Sequence, residues 1–225
     1  MPEQIPFGTN DFAENPEPRV PCVLLLDTSG SMAGAKIQEL NEALVAFKGF
    51  LVADSLAAKR VELAIVTFGP VRTLVEFTTA SQFQPPLLVP SGDTPLGAAA
   101  HHAIDMVTAR KQVYKDNGIA YYRPWIFLIT DGAPNPGDPW QAAATAIKNG
   151  EQARAFYVFG VGVDGADFEM LRHLCVREPL KLEGLEFGKM FLWLSSSLSS
   201  VSKSAMGDAV PLQNPTGPDG WATVG

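Results

Sequence analysis

What this 225-residue chain lacks narrows its chemistry before any motif is read. It has two cysteines, Cys22 and Cys175, far apart and each in an apolar neighbourhood, with no CxxC pair. A disulfide framework or thiolate metal site needs more, so both read as small buried hydrophobes. The three histidines, His101, His102 and His173, stand at no metal spacing with cysteine, which removes zinc. No apolar run approaches the ~20 residues that cross a bilayer, so no membrane partner is expected. Met1 to Arg19 is rich in Pro, Glu and Asn and has neither a basic head nor an apolar stretch. No secretory signal is read there, and the expected location is cytoplasmic. Seventeen Lys and Arg against twenty-four Asp and Glu leave a net charge of −7, with the basic residues scattered. Phosphate backbones demand a concentrated cationic footprint, so nucleic acid is not an expected partner.

What the chain does have is an alternation of helix and strand periods. Cys22–Asp27 and Trp125–Asp131 are continuous apolar runs, the mark of strands buried on both faces, and Val61–Phe68 reads as a further strand. Val71–Phe77 follows a very short turn and should pair with its predecessor as an antiparallel hairpin. Ala155–Gly162 and the short Leu180–Leu182 complete the predicted strands. Between them the apolar spacing predicts helices over Lys36–Arg60, from Thr94-Pro95 to near Gly118, Pro139–Arg154, Phe168–Cys175 and Phe187–Ser204. Thr94 reads as N-cap with Pro95 at the first helical position. The serines of the last helix (Ser195, Ser196, Ser197, Ser199, Ser200) read as its solvated face. The fold class is therefore α/β: a doubly wound, mostly parallel six-stranded sheet with one antiparallel edge strand and helices on both faces. Residues 1–19 form an arm, 20–205 the single domain, and 206–225 a Pro/Gly-rich tail expected to pack poorly.

Three motifs fall on one edge of that sheet. Asp27-Thr28-Ser29-Gly30-Ser31 follows an apolar strand directly, and its alternation sends the side chains of 27, 29 and 31 to a common side. One carboxylate and two hydroxyls suit a hard cation such as Mg²⁺ or Mn²⁺. Asp131 ends another apolar strand, so neighbouring strands would bring both carboxylates to the same edge. Thr94, at a helix start, adds a third hydroxyl. Each residue taken alone also has a local reading as cap or turn. Asp164 and Asp167 follow a strand without a hydroxyl pattern and read as turn and N-cap.

DTSGSM at 27–32, GDTPLG at 92–97 and TDG at 130–132, in this order on this frame, resemble the von Willebrand factor A domain over about Val20 to Ser204. Within it the TPLG segment and the late helix at 187–204 look like those of the bacterial TerY-like proteins. The resemblance implies a metal-ion-dependent adhesion site. Ser29 and Ser31 would bind Mg²⁺ (or Mn²⁺ or Ca²⁺) directly, and Asp27, Thr94 and Asp131 directly or through water. A partner protein's Asp or Glu would complete the coordination. Asp93 stands where the family often has Gly. The implied role is a non-enzymatic scaffold in a tellurite-resistance or stress phosphorylation system, with a Ser/Thr kinase or PPM-type phosphatase as partner. The alternative is a phosphohydrolase of the haloacid dehalogenase type. Such enzymes place a second Asp two residues after the nucleophile, where this chain has Ser29, and no suitably placed Lys is evident.

Overall fold

The computed structural model describes Phe12 and residues 14–225. Most of the expected 1–19 arm lies outside the described residues. The strands are β1 (Val20–Asp27), β2 (Val61–Phe68), β3 (Arg72–Thr79), β4 (Trp125–Thr130), β5 (Tyr157–Gly162), β6 (Leu180–Leu182) and β7 (Ala222–Val224). The helices are α1 (Ala35–Ala53), α2 (Ser55–Arg60), α3 (Leu96–Asp116), α4 (Trp140–Gln152), α5 (Phe168–Leu174) and α6 (Phe187–Lys203), with one 3-10 turn at Gly30–Met32.

The seven strands form one sheet in the order β3-β2-β1-β4-β5-β6-β7. Strands β2, β1, β4, β5 and β6 are parallel, and β3 is antiparallel on β2, as the short turn implied. Alternation along β1 divides the core. Cys22, Leu24 and Leu26 face a cluster with Leu40, Leu44 and Phe47 of α1 and Phe191, Leu194 and Leu198 of α6. Val23 and Leu25 face Ala99, Ala100 and Ala103 of α3 and Ile147 of α4. Apolar residues on both faces are what the continuous runs required. Cys22 and Cys175 are free and buried in these clusters, and burial pushes both thiols up, Cys175 to about 12.

Three expectations need correction. The sheet has a seventh strand: β7, from the tail, runs antiparallel beside β6, and Trp221 and Ala222 are buried. The tail therefore packs, because Trp221 stacks 5.6 Å from Trp193 and adds to the α6 side of the core. The predicted 36–60 helix is two helices, since Asp54 leaves helical geometry and accepts from the amides of Leu56 and Ala57 as the cap of α2. Ser195 and Ser197 are buried rather than solvated. The small side chains let α6 pack against α1 and α2, and the Ser195 hydroxyl donates to the Leu192 carbonyl.

Candidate metal centre

Strand order reverses between β1 and β4: the chain leaves β1 toward β2 and β3, then returns to β4 on the other side. Ligand sites of open α/β sheets lie at the carboxyl ends of strands beside such a switch point. Asp27 is the last residue of β1 and Asp131 follows the last residue of β4. Asp27 is 0% exposed; its Oδ1 accepts from the Ser29 amide at 2.8 Å and its Oδ2 from the Thr130 hydroxyl at 2.6 Å. Burial, ahead of the Asp131 charge, raises its carboxyl above the ordinary 3.8, although the bonds from Ser29 and Thr130 oppose this.

A relay of hydroxyls joins the two carboxylates' neighbourhoods. Ser31 donates to Asp131 Oδ1 at 2.6 Å. A hydroxyl has one proton, so the 3.0 Å contact between Ser29 and Ser31 has Ser29 as donor. The Ser29 lone pairs and one lone pair of Ser31 then remain available. Asp131 Oδ2 takes the Lys36 ammonium at 2.6 Å, and the same nitrogen donates to the Asp164 carbonyl at 2.8 Å.

Thr94 lies across Gly132 from this relay. A Cβ built on Gly132 would sit 3.7 Å from Thr94 Oγ1 and 4.0 Å from Ser31 Oγ, so both hydroxyls border one small space. The expected N-cap role is not observed: α3 begins at Leu96 and the flanking residue is Pro95. Instead Asp138 reaches back, and its Oδ1 accepts from the Gly97 amide at 2.7 Å. Any side chain at 97 would meet the Trp140 backbone nitrogen at 2.4 Å, so this close approach requires glycine. Asn135 fixes Thr94 itself, accepting from its amide at 3.0 Å and donating its own amide to its carbonyl at 3.2 Å. Thr94 is 8% exposed, and no hydrogen bond joins its hydroxyl to another described residue.

The β1 loop is held from its far side too. Gly69, at φ +115°, lets the β2–β3 turn come within contact of Ser29, while Ser91 donates to the Thr28 carbonyl and Gly30 to the Gly92 carbonyl. All five sequence-derived residues thus meet at one edge on braced loops. Among the described residues no three His, Cys, Asp or Glu side chains form a group that could hold a metal ion. The donor set is two carboxylates and three hydroxyls, all hard oxygens, with the single ammonium of Lys36, a quarter exposed, against two buried carboxylates. These donors fit a hard divalent cation. Asp93 is exposed beside them. His102 lies elsewhere, bonded at 2.7 Å to Thr73 of β3, and Asp167 caps α5 through the Met170 amide at 2.9 Å. Lys36, Thr130, Asn135 and Asp138 were not read as site residues; their partners lie 41 to 128 residues away, and of the four only Thr130 stands in a quoted motif, the TDG at 130–132.

Residues 22–180 match the family model of the von Willebrand factor type A domain. No curated protein matches the chain by sequence. Among solved structures, the pilus adhesin SpaC from Lactobacillus rhamnosus GG, in an open conformation, superposes with TM-score 0.65 at 14% identity over 82% of this chain and 30% of that one. Proximal thread matrix protein 1 from the mussel byssus gives TM-score 0.57 at 18% identity over 81% and 48%. A manganese-loaded TRAP protein from Plasmodium vivax gives 0.49 at 18% over 77% and 73%. The chain spans less than half the length of the first two, and the likeness to them is one of fold. The matched segment covers most of the chain, which belongs to the von Willebrand factor type A family.

Proposed function

The chain being a von Willebrand factor type A domain, we propose that it is a binding module that captures a protein partner through a divalent cation held by Asp27, Ser29, Ser31, Thr94 and Asp131. The observation that carries this reading is the convergence of two buried carboxylates and three hydroxyls, one of them bonded to no other described residue, at the β1/β4 switch point. Mg²⁺ is the first choice for such oxygens, with Mn²⁺ and Ca²⁺ behind it. When bound, the cation would offer an open coordination position to a partner's Asp or Glu.

The protein's own residues do the positioning. Thr130 and the Ser29 amide hold Asp27 rigid, Ser31 holds Asp131, and the Asn135 bonds hold Thr94. Hydroxyl donors add no charge, so the two carboxylates at most neutralise the dication and no excess negative charge opposes a partner's carboxylate. Similarity of the TPLG segment and late helix to TerY-like proteins supports a Ser/Thr kinase or PPM-type phosphatase of a bacterial tellurite-resistance or stress system as the first partners to test. A phosphohydrolase would need Asp27 as nucleophile, and that side chain is fully buried with both oxygens accepting hydrogen bonds. The test is affinity capture of kinase and phosphatase candidates in Mg²⁺ and in EDTA. Capture that needs Mg²⁺ and fails for Ser29→Ala/Ser31→Ala is the expected result; capture indifferent to both contradicts it.

A further inference from the structure

Lys36 has no role in the cation-binding reading, yet it occupies one oxygen of a proposed ligand. Its ammonium is 2.6 Å from Asp131 Oδ2, whose side chain is 0% exposed, while the Lys36 side chain itself is 25% exposed. The lysine sits in the first turn of α1, where the helix dipole disfavours a positive charge and where the capping residue, Gly34, offers no side chain. Local helix chemistry therefore does not explain its place. What holds it is Asp131 together with the Asp164 carbonyl, contributed by the loop after β5.

We propose that Lys36 is a built-in counter-cation that neutralises Asp131 in the cation-free protein and must leave it when a divalent cation binds, so that it sets the affinity of the site. This rests on the cation-binding reading above. An ammonium and a dication on one carboxylate repel each other, and water screens that repulsion little at Asp131, whose side chain is 0% exposed. The lysine has somewhere to go. A groove of about 580 Å³ opens beside it, bordered by Ala33, Ala35, Lys181 and Leu185, with Asp164 also on its wall. Asp164 is exposed and its carboxylate pairs with no cation among the described residues, so it can receive the displaced ammonium.

Because breaking the Lys36–Asp131 contact opposes cation entry, removing it should help the cation and harm the empty protein. The experiment is calorimetric titration of Mg²⁺ into EDTA-stripped full-length wild type, Lys36→Met and Lys36→Arg, with thermal unfolding of each without cation. A second readout follows acylation of the Lys36 amine in wild type by mass spectrometry, with and without Mg²⁺. Lys36→Met is expected to bind Mg²⁺ about tenfold tighter and to melt lower when cation-free, while Lys36→Arg stays near wild type. The amine should react several-fold faster once Mg²⁺ is present. Equal or weaker binding by Lys36→Met, with wild type binding normally, overturns the counter-cation role alone. Silence of wild type and Lys36→Met together overturns the cation site and this proposal with it.

Discussion

The two edges of the sheet bury carboxylates in opposite ways. At the amino ends of β1 and β2, Glu62 is 1% exposed and surrounded by donors: Arg19 on Oε1 at 2.9 Å, Arg110 on Oε2 at 2.8 Å, and the Tyr114 hydroxyl. Burial first, and the Glu62 charge second, hold the Tyr114 phenol protonated well above its ordinary range. Arg19, 0% exposed, also donates from Nη1 and Nη2 to the carbonyls of Glu17 and Asn15, and Phe12 lies 5.4 Å and 5.1 Å from the two guanidiniums. Two cations there enclose one anion. At the carboxyl ends of β1 and β4 the ratio inverts, with two buried carboxylates against Lys36 alone. A buried charge is tolerated when it is paired and hydrogen-bonded. The first cluster is closed and welds the chain near residue 19 to β2 and α3; the second is left with negative charge to be matched from outside.

Removing the anion at each edge should separate these roles. Glu62→Ala leaves Arg19 buried without a counter-charge and should cost about 3–5 kcal/mol in denaturant unfolding, the same with and without Mg²⁺. Asp27→Asn should do the reverse, abolishing any Mg²⁺-induced rise in melting temperature while leaving the cation-free protein at least as stable as wild type at pH 7.

The pH dependence follows from the raised Asp27 carboxyl. The folded state then binds a proton at a pH where the unfolded chain does not. Cation-free stability therefore increases as pH falls from above the raised value toward 3.8, and is lost again as pH rises through that window. Asp27→Asn should flatten this segment of the stability-versus-pH curve. Thr94→Val keeps the shape and removes the hydroxyl. It should weaken Mg²⁺ binding about tenfold in calorimetry and change stability by less than about 1 kcal/mol. Asp93→Asn, exposed and screened by salt, should shift Mg²⁺ affinity by no more than about threefold at physiological ionic strength.

Much of this contrast could be read from the residues because the site's donors sit in short motifs at strand ends. Asp27, Ser29 and Ser31 follow an apolar run directly, and Asp131 follows another; burial of those strands makes their order at one edge a consequence of topology. The parallel core strands were legible for the same reason. Lys36, Asn135 and Asp138 were not, since each acts across a gap that only the folded loops close. Strand β7 escaped because three residues at an edge carry no period, and its anchor, Trp221, stands in a Pro/Gly-rich stretch. The break at Asp54 was masked by an apolar stripe running on from Leu51 into α2, although Asp54-Ser55 is a capping sequence.

The central claim is that the open edge is a cation site built from these five side chains. Calorimetric titration of Mg²⁺ into EDTA-stripped wild type beside Ser29→Ala/Ser31→Ala tests it most directly, because the variant loses two donors and no charge. Saturable one-site binding in wild type, absent from the variant, is the predicted result. Identical isotherms for the two proteins would contradict it.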